Sequence, residues 1–303
     1  MIPTIDAAAM LRGEPETLES VRVCAEETGF MIVEGTAITP AQVRKVIAAY
    51  RAFFHRPEAE KDAVNMVRTG SNRGWGPAKS EQVNPEANPD FKEVFDCGFA
   101  LPPGDTQAHL SVYAPNLWPA KPAGFRDTIE GYYAQALRVS LDILHAVAQV
   151  IGAPPDYFDD KFDRPMALLR GNFYPQRPDW AGARDFGIAA HTDYGCLTLL
   201  AMDGTPGLEV RKRGGGWIPV CAPVGEFVIN FGEMLEMWTD KRVVATPHRV
   251  VGGSHERLSI PLFYNPNADT NVAPVGSGRV IRAMDHLQKR YDDTYLHLQG
   301  QDG

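Results

Sequence analysis

The chain has 303 residues, 44% of them hydrophobic and 22% charged, which is enough apolar material for one large domain or two small ones. With 30 basic against 38 acidic residues the formal net charge is -8 and no basic run appears, so nucleic acid and anionic membrane are poor partners. The four cysteines, Cys24, Cys97, Cys196 and Cys221, are scattered without a C-x-x-C pair, the usage expected of reduced thiols in a cytoplasmic protein. The first residues lack the basic start and apolar run of a signal peptide, and no stretch has the length of a membrane span.

Residues 2–5 read as a short first strand, and a helix is expected from about Glu14 to Gly29, with Leu18, Val21, Cys24 and Ala25 on one face. Residues 30–33 read as a buried strand. The next helix has a legible start: Thr39 as N-cap, Pro40 at the first position and Gln42 completing a capping box. Val43, Val46, Ile47, Tyr50 and Phe54 give it an apolar stripe. Residues 65–120 are rich in Gly, Pro and Asn with weak periodicity, the character of lids and binding loops. Arg73, Trp75 and Lys79 are candidate substrate contacts there, although a solvated or structurally paired side chain is the blander reading for each. Residues 122–151 form the longest expected helix, with Phe125, Ile129, Tyr132, Tyr133, Leu137, Leu141, Leu144 and Val147 at helical spacing and Gly152 ending it. From residue 166 the chain turns strand-rich: 166–174, 191–202, 208–213, 217–220, 227–230, 248–251 and 257–264, with a hairpin turn at Gly214-Gly215-Gly216. A last helix is expected over 283–299. Strands so spaced suggest a sandwich or barrel.

The chemistry gathers around His191-Thr192-Asp193 and the distant His248. In an extended segment side chains alternate faces, so His191 and Asp193 share one. Two imidazoles and one carboxylate are the ligand set of a facial triad, which holds Fe(II) and leaves coordination positions open. An isolated H-x-D is common by chance, and unrelated polar residues would look the same. Its surroundings favour the metal. In residues 257–263, Leu258, Ile260 and Leu262 fall on one face of a strand and Arg257, Ser259 and Phe263 on the other. A buried arginine there needs an anionic partner, because an unpaired buried charge is costly. His55, His109, His145, His255, His286 and His297 stand outside the pattern. His255 follows Gly252-Gly253-Ser254 and reads as an exposed turn residue. A closed zinc site usually takes four protein ligands, and no H-E-x-x-H is present.

With H-x-D, a distant His and R-x-S in register, the sequence resembles the isopenicillin N synthase-like family of Fe(II)- and 2-oxoglutarate-dependent dioxygenases. Phe53-Phe54, Pro57 and Lys61 match the family's N-terminal region, as do Asn72-Arg73-Gly74-Trp75 and Lys92-Glu93-Val94-Phe95 near the mouth of the site. Glu34-Gly35-Thr36 departs from it, standing where many relatives carry Asn-His-Gly, and reads as a surface difference. The resemblance implies an α+β fold, a double-stranded β-helix (jelly roll) flanked by helices. Residues 1–120 would pack on the core of 121–303 as one structural unit. It implies Fe(II) on His191, Asp193 and His248. It also implies 2-oxoglutarate with its far carboxylate on Arg257 and Ser259, touched by Asn172 and Tyr174 from a segment like the family's Asn-Tyr-Tyr-Pro. Phe263 would line the substrate pocket, with core packing an almost equal reading. The implied reaction uses O2 to oxidise, most often hydroxylate, a small organic molecule, with release of succinate and CO2. Two alternatives stand beside it: an oxidase of the same fold whose R-x-S pair binds a substrate carboxylate, and a non-enzymatic binder or sensor on the same barrel. The substrate and the oligomeric state are not written in the sequence.

Overall fold

The computed structural model describes residues 2–294 apart from 69–70, 85, 183–184 and 275. Twelve strands are found in the described residues. They are β1 (Thr4–Asp6), β2 (Phe30–Glu34), β3 (Gly74–Gly76), β4 (Glu93–Gly98), β5 (Leu168–Tyr174), β6 (Ile188–His191), β7 (Leu197–Met202), β8 (Leu208–Arg211), β9 (Trp217–Val220), β10 (Phe227–Phe231), β11 (His248–Val250) and β12 (Arg257–Tyr264). The helices are α1 (Ala7–Leu11), α2 (Pro15–Val23), α3 (Pro40–Phe54), α4 (Glu58–Lys61), α5 (Phe125–Val150), α6 (Glu233–Trp238) and α7 (Ala283–Thr294). One sheet has the order β1-β2-β10-β7-β12-β5-β4-β3 and the other β6-β11-β8-β9. Two mostly antiparallel sheets with helices on the outside make the expected jelly roll of the α+β class.

The larger sheet is buried on both faces. Outside it, Tyr50 and Phe53 of α3 meet Phe125 of α5 and Phe95 of β4 in edge-on and tilted contacts with ring centroids 4.9–6.3 Å apart, and Phe54 stacks on Tyr50 at 6.1 Å. Thr39 and Gln42 close the capping box at the start of α3. Between the sheets lies a second apolar cluster that includes Phe30, Tyr174, Leu200, Leu208 and Val250. Strand alternation divides β12 as expected. Leu258, Ile260 and Leu262 are fully buried in the helix-side core, and Arg257, Ser259 and Phe263 face the space between the sheets.

Several elements differ from expectation. The strand expected over 191–202 is two, because the chain turns at 192–196 and passes from the smaller sheet to the larger. Gly195 there lies too close to the Asn265 amide to carry a side chain. Residues 65–120 hold β3 and β4, whose Trp75 and Phe95 are buried, although glycine flanks on β3 erase any periodicity. A short helix, α1, precedes the expected one and was not foreseen, whereas the helix expected from about Glu14 is α2, which runs on through a wide turn at Cys24–Thr28 to Gly29 at φ 67°. The long helix starts after Gly124, at φ 73°, a conformation that favours glycine. α6 was not foreseen. The last helix is described to Thr294, and the rest of its expected length lies outside the described residues. The Gly214–Gly216 turn joins β8 to β9 as expected, with Lys212 N donating to Gly216 O at 3.1 Å. All four cysteines are free thiols and only Cys221 is exposed.

Candidate metal centre and cosubstrate cavity

His191 ends β6 and His248 opens β11, and the register places them directly opposite one another. Asp193 reaches the same point from the turn after β6, so it is a bend and not strand alternation that brings it there. The Nε2 atoms of His191 and His248 lie 3.7 and 3.6 Å from Asp193 Oδ1. Ligand atoms of all three lie within 4.8 Å of one another, the only such group found among the described residues.

Neighbouring groups fix which atoms face the centre. His191 Nδ1 donates to Ala189 O at 2.8 Å and His248 Nδ1 to Thr246 O at 3.2 Å, which leaves each Nε2 with its lone pair inward. Asp193 Oδ2 accepts from Thr198 Oγ1 at 2.5 Å and Asn230 Nδ2 at 2.6 Å, leaving Oδ1 free to coordinate. Phe30 sets its ring edge-on to His248 at 5.4 Å. Burial, with the charge of His248 beside it, lowers the His191 pKa to about 4, so the imidazole is neutral near pH 7. Burial works against ionised Asp193, but the two imidazoles, Thr198 and Asn230 outweigh it and hold its carboxyl below the usual range. The turn itself is gripped by the start of α6: Glu233 N donates to Asp193 O at 2.8 Å and Met234 N to Gly195 O at 3.1 Å. Thr192, left without a role by its sequence, donates to Glu233, which also pairs with Arg290 of α7.

A cavity between the sheets runs from these ligands to Arg257, lined also by Asn172, Tyr174 and Ser259. The pairing of β5 with β12 sets Tyr174 opposite Arg257 and Asn172 opposite Ser259, so all four point inward together. Arg257 Nη1 donates to Ser259 Oγ at 3.2 Å and Nε to Thr205 O at 3.3 Å, and its guanidinium lies 4.9 Å from the Tyr174 ring centre. Its Nη2 is buried with no hydrogen-bond partner, and so is Asn172 Oδ1. A buried guanidinium nitrogen without an acceptor is costly, so the site fits an anionic ligand held between Arg257 and the three metal ligands. A second cavity opens on the other side of His191 and Asp193. Phe263, half-buried, lines both.

The remaining candidates are elsewhere. Arg73 is buried, donates to Asn72 O and Val112 O at 2.8 and 2.7 Å, and lines neither cavity. Trp75 is buried with its indole on Glu93 at 2.7 Å. Lys79 sits over the Trp180 ring at 5.2 Å. His255 is exposed, as expected. Sequence reasoning missed Thr198 and Asn230, which carry no motif. It also missed Arg170 and Glu81, which line the second cavity with Lys92. Alternation could have found Arg170, two residues before Asn172 on the same face of β5.

Comparison with known proteins agrees with this geometry. Residues 165–266 match the 2OG-Fe(II) oxygenase superfamily, and residues 2–121 match the non-haem dioxygenase in morphine synthesis N-terminal family. The 2-oxoglutarate-dependent dioxygenase caaD of Aspergillus niger is 32% identical over 97% of this chain and 94% of its own. The chain belongs to the 2-oxoglutarate- and Fe(II)-dependent dioxygenases. A homoarginine-6-hydroxylase of Oryza sativa subsp. japonica is also 32% identical, over 91% of this chain and 86% of its own. Among solved structures, a full-length Neurospora crassa protein in complex with alpha-KG and thymine superposes with a TM-score of 0.85 at 26% identity, covering 96% of each chain. As a dioxygenase of this family the protein is an oxidoreductase that uses Fe(II), 2-oxoglutarate and O2. The oxidase alternative is not favoured.

Proposed function

We propose that this dioxygenase hydroxylates a small organic molecule bound in the cavity beside Phe263, with release of succinate and CO2. His191, Asp193 and His248 would hold iron, and Arg257 and Ser259 would hold the far carboxylate of 2-oxoglutarate, with Asn172 and Tyr174 beside it. The observation that carries this is the buried, unpartnered Arg257 Nη2 beside a cavity that the three ligands also line. When bound, iron with 2-oxoglutarate and O2 supplies an oxidant for an unactivated C–H bond. The chain's own part is positional. Thr198 and Asn230 fix Asp193, the Ala189 and Thr246 carbonyls fix the imidazoles, and Arg257 orients the cosubstrate. Leu168, Ile188, Phe263 and Leu287 exclude water on the substrate side. Relatives act on compounds as unlike as homoarginine, and a structural relative binds thymine, so the fold alone does not choose among small molecules. A cytoplasmic location is supported by the unpaired thiols, and no described helix is long and apolar enough to cross a membrane. Anaerobic titration of the iron-loaded protein with 2-oxoglutarate tests the reading: a charge-transfer absorption band is expected, and turnover of a substrate with no 2-oxo acid present would overturn it.

A further inference from the structure

Three charged side chains form the polar wall of the substrate-side cavity, Glu81, Lys92 and Arg170, each more than nine-tenths buried. Both cations have a carboxylate of their own behind them. β4 and β5 pair Asp96 opposite Arg170, and Asp96 takes Nε and Nη2 of Arg170 at 2.8 and 2.6 Å. Lys92 Nζ donates to Asp90 Oδ2 at 2.9 Å. Neither aspartate lines the cavity.

Glu81 is therefore a further carboxylate, and it bridges both cations. Its Oε2 lies 2.8 Å from Lys92 Nζ and 2.9 Å from Arg170 Nη1. Its Oε1 is 2.9 Å from Arg170 Nη2 yet outside hydrogen-bond geometry, and it accepts no hydrogen bond. Burial opposes the charge, but Arg170 and Lys92 outweigh it and hold the Glu81 carboxyl at about 2. The place where a buried lysine and arginine would receive a substrate carboxylate is already filled from within the chain. A substrate anion would have to displace Glu81 or stand against it at low dielectric. A substrate cation would meet Lys92 and Arg170. A neutral group with a donor for Glu81 Oε1 and an acceptor for the third proton of Lys92 fits both.

We infer that the substrate is a neutral molecule with an apolar body, bearing an amide, lactam or imide edge that Glu81 and Lys92 hold, and that Glu81 excludes carboxylic acids from this pocket. The inference rests on the reading of this cavity as the substrate site. Leu168, Ile188, Phe263 and Leu287 surround the apolar body. Losing the match on either side strands a buried polar group, which is how a site built on hydrogen bonds rejects a near-isostere.

The test uses the iron- and 2-oxoglutarate-loaded protein under anaerobic conditions. Matched neutral and acidic probes, benzamide with benzoate and nicotinamide with nicotinate, are titrated by calorimetry. Wild type should prefer the amide of a pair by about ten-fold or more, the size expected for one charge-assisted hydrogen bond. Glu81→Ala vacates the place between Lys92 and Arg170 and should reverse the preference toward the acid. Glu81→Gln keeps the volume, so if the alanine variant melts early the glutamine variant decides, and its amide preference should fall by about ten-fold. Acid bound as well as amide by wild type, no probe bound at all, or a preference unchanged in the folded variants would overturn the inference. Affinity for 2-oxoglutarate is measured in the same samples. Normal cosubstrate binding with no discrimination sinks this inference alone, whereas wild type that binds no 2-oxoglutarate removes the reading beneath it.

Discussion

At the scale of single residues the site is a set of side chains whose outward atoms are chosen by inward hydrogen bonds. His191→Ala, Asp193→Ala and His248→Ala each remove one of three ligands and should abolish iron-dependent turnover in folded protein. The groups behind them are predicted to matter less but measurably. Asn230→Leu frees Asp193 Oδ2 from its 2.6 Å partner and should weaken iron binding by about 10–100-fold, the usual cost of losing a supporting bond behind a ligand. Unchanged affinity by metal titration would show that Thr198 alone suffices. Arg257 gives a graded series. Lysine keeps the charge without the fork, and leucine leaves a buried carboxylate unpaired at about 3–5 kcal/mol, hundreds-fold in affinity. The order in 2-oxoglutarate affinity should be wild type, lysine, leucine, with iron affinity flat across it. Acid adds a further check. Because the His191 pKa is lowered to about 4, a proton does not compete with metal at this ligand until well below the ordinary histidine range. The His191 ring should therefore stay unprotonated as pH falls through about 6.5, where a free imidazole would titrate, and take up a proton only on approaching 4, as read from its own ring resonances by NMR of the metal-free protein. A midpoint near the ordinary histidine value would contradict the buried environment. The ligands were legible because metal chemistry demands few residue types. Thr198 and Asn230 were not, since any short polar residue in the right place can hold a carboxylate oxygen.

Elements position these side chains, and the sequence showed those whose signals are local. The α3 cap and the β12 alternation could be read directly, because a hydroxyl three residues before an amide, and apolar residues at every second position, are patterns within one segment. The break between β6 and β7 could not, because its cause is a contact distant in sequence. Cys196 N donates to Asn265 Oδ1 at 2.9 Å, and the same amide leaves no room for a Cβ on Gly195. The turn that carries Asp193 depends on that close approach, with α6 holding its carbonyls from the other side. Gly195→Ala should force Asn265 away, cost about 1–3 kcal/mol as overpacking does, and weaken iron binding together with it. Gly214→Ala is the control, since nothing lies within 4 Å of the added methyl in the β8–β9 hairpin. If thermal melting and iron titration find the two variants alike, the Asn265 contact does not set the metal turn.

At the scale of the molecule, the larger sheet joins strands from both ends of the chain. β2 pairs with β10 and β4 pairs with β5, so β1 to β4 flank a four-strand centre drawn from after residue 165. The N-terminal portion also reaches the site. Phe30 packs on the ligand His248, and Glu81 and Lys92 wall the substrate cavity. Sequence could place a strand at 30–33 but not its partner, since pairing over so long a separation leaves no local trace. We therefore expect residues 121–303 expressed alone to fail as a metal-binding fold. Without β2 and β4, the edges of β10 and β5 present unpaired backbone groups, a template for aggregation. The ring of Phe125 would also lose Tyr50, Phe53 and Phe95, stripping α5 of its aromatic cover. The fragment should be aggregated or molten by near-ultraviolet circular dichroism and should bind no iron. Adding residues 1–120 as a separate chain should restore some structure, because the missing interface is a packed and hydrogen-bonded one. A monomeric, cooperatively melting fragment that binds iron with the affinity of the full chain would show that the N-terminal region is an accessory layer on an independent barrel.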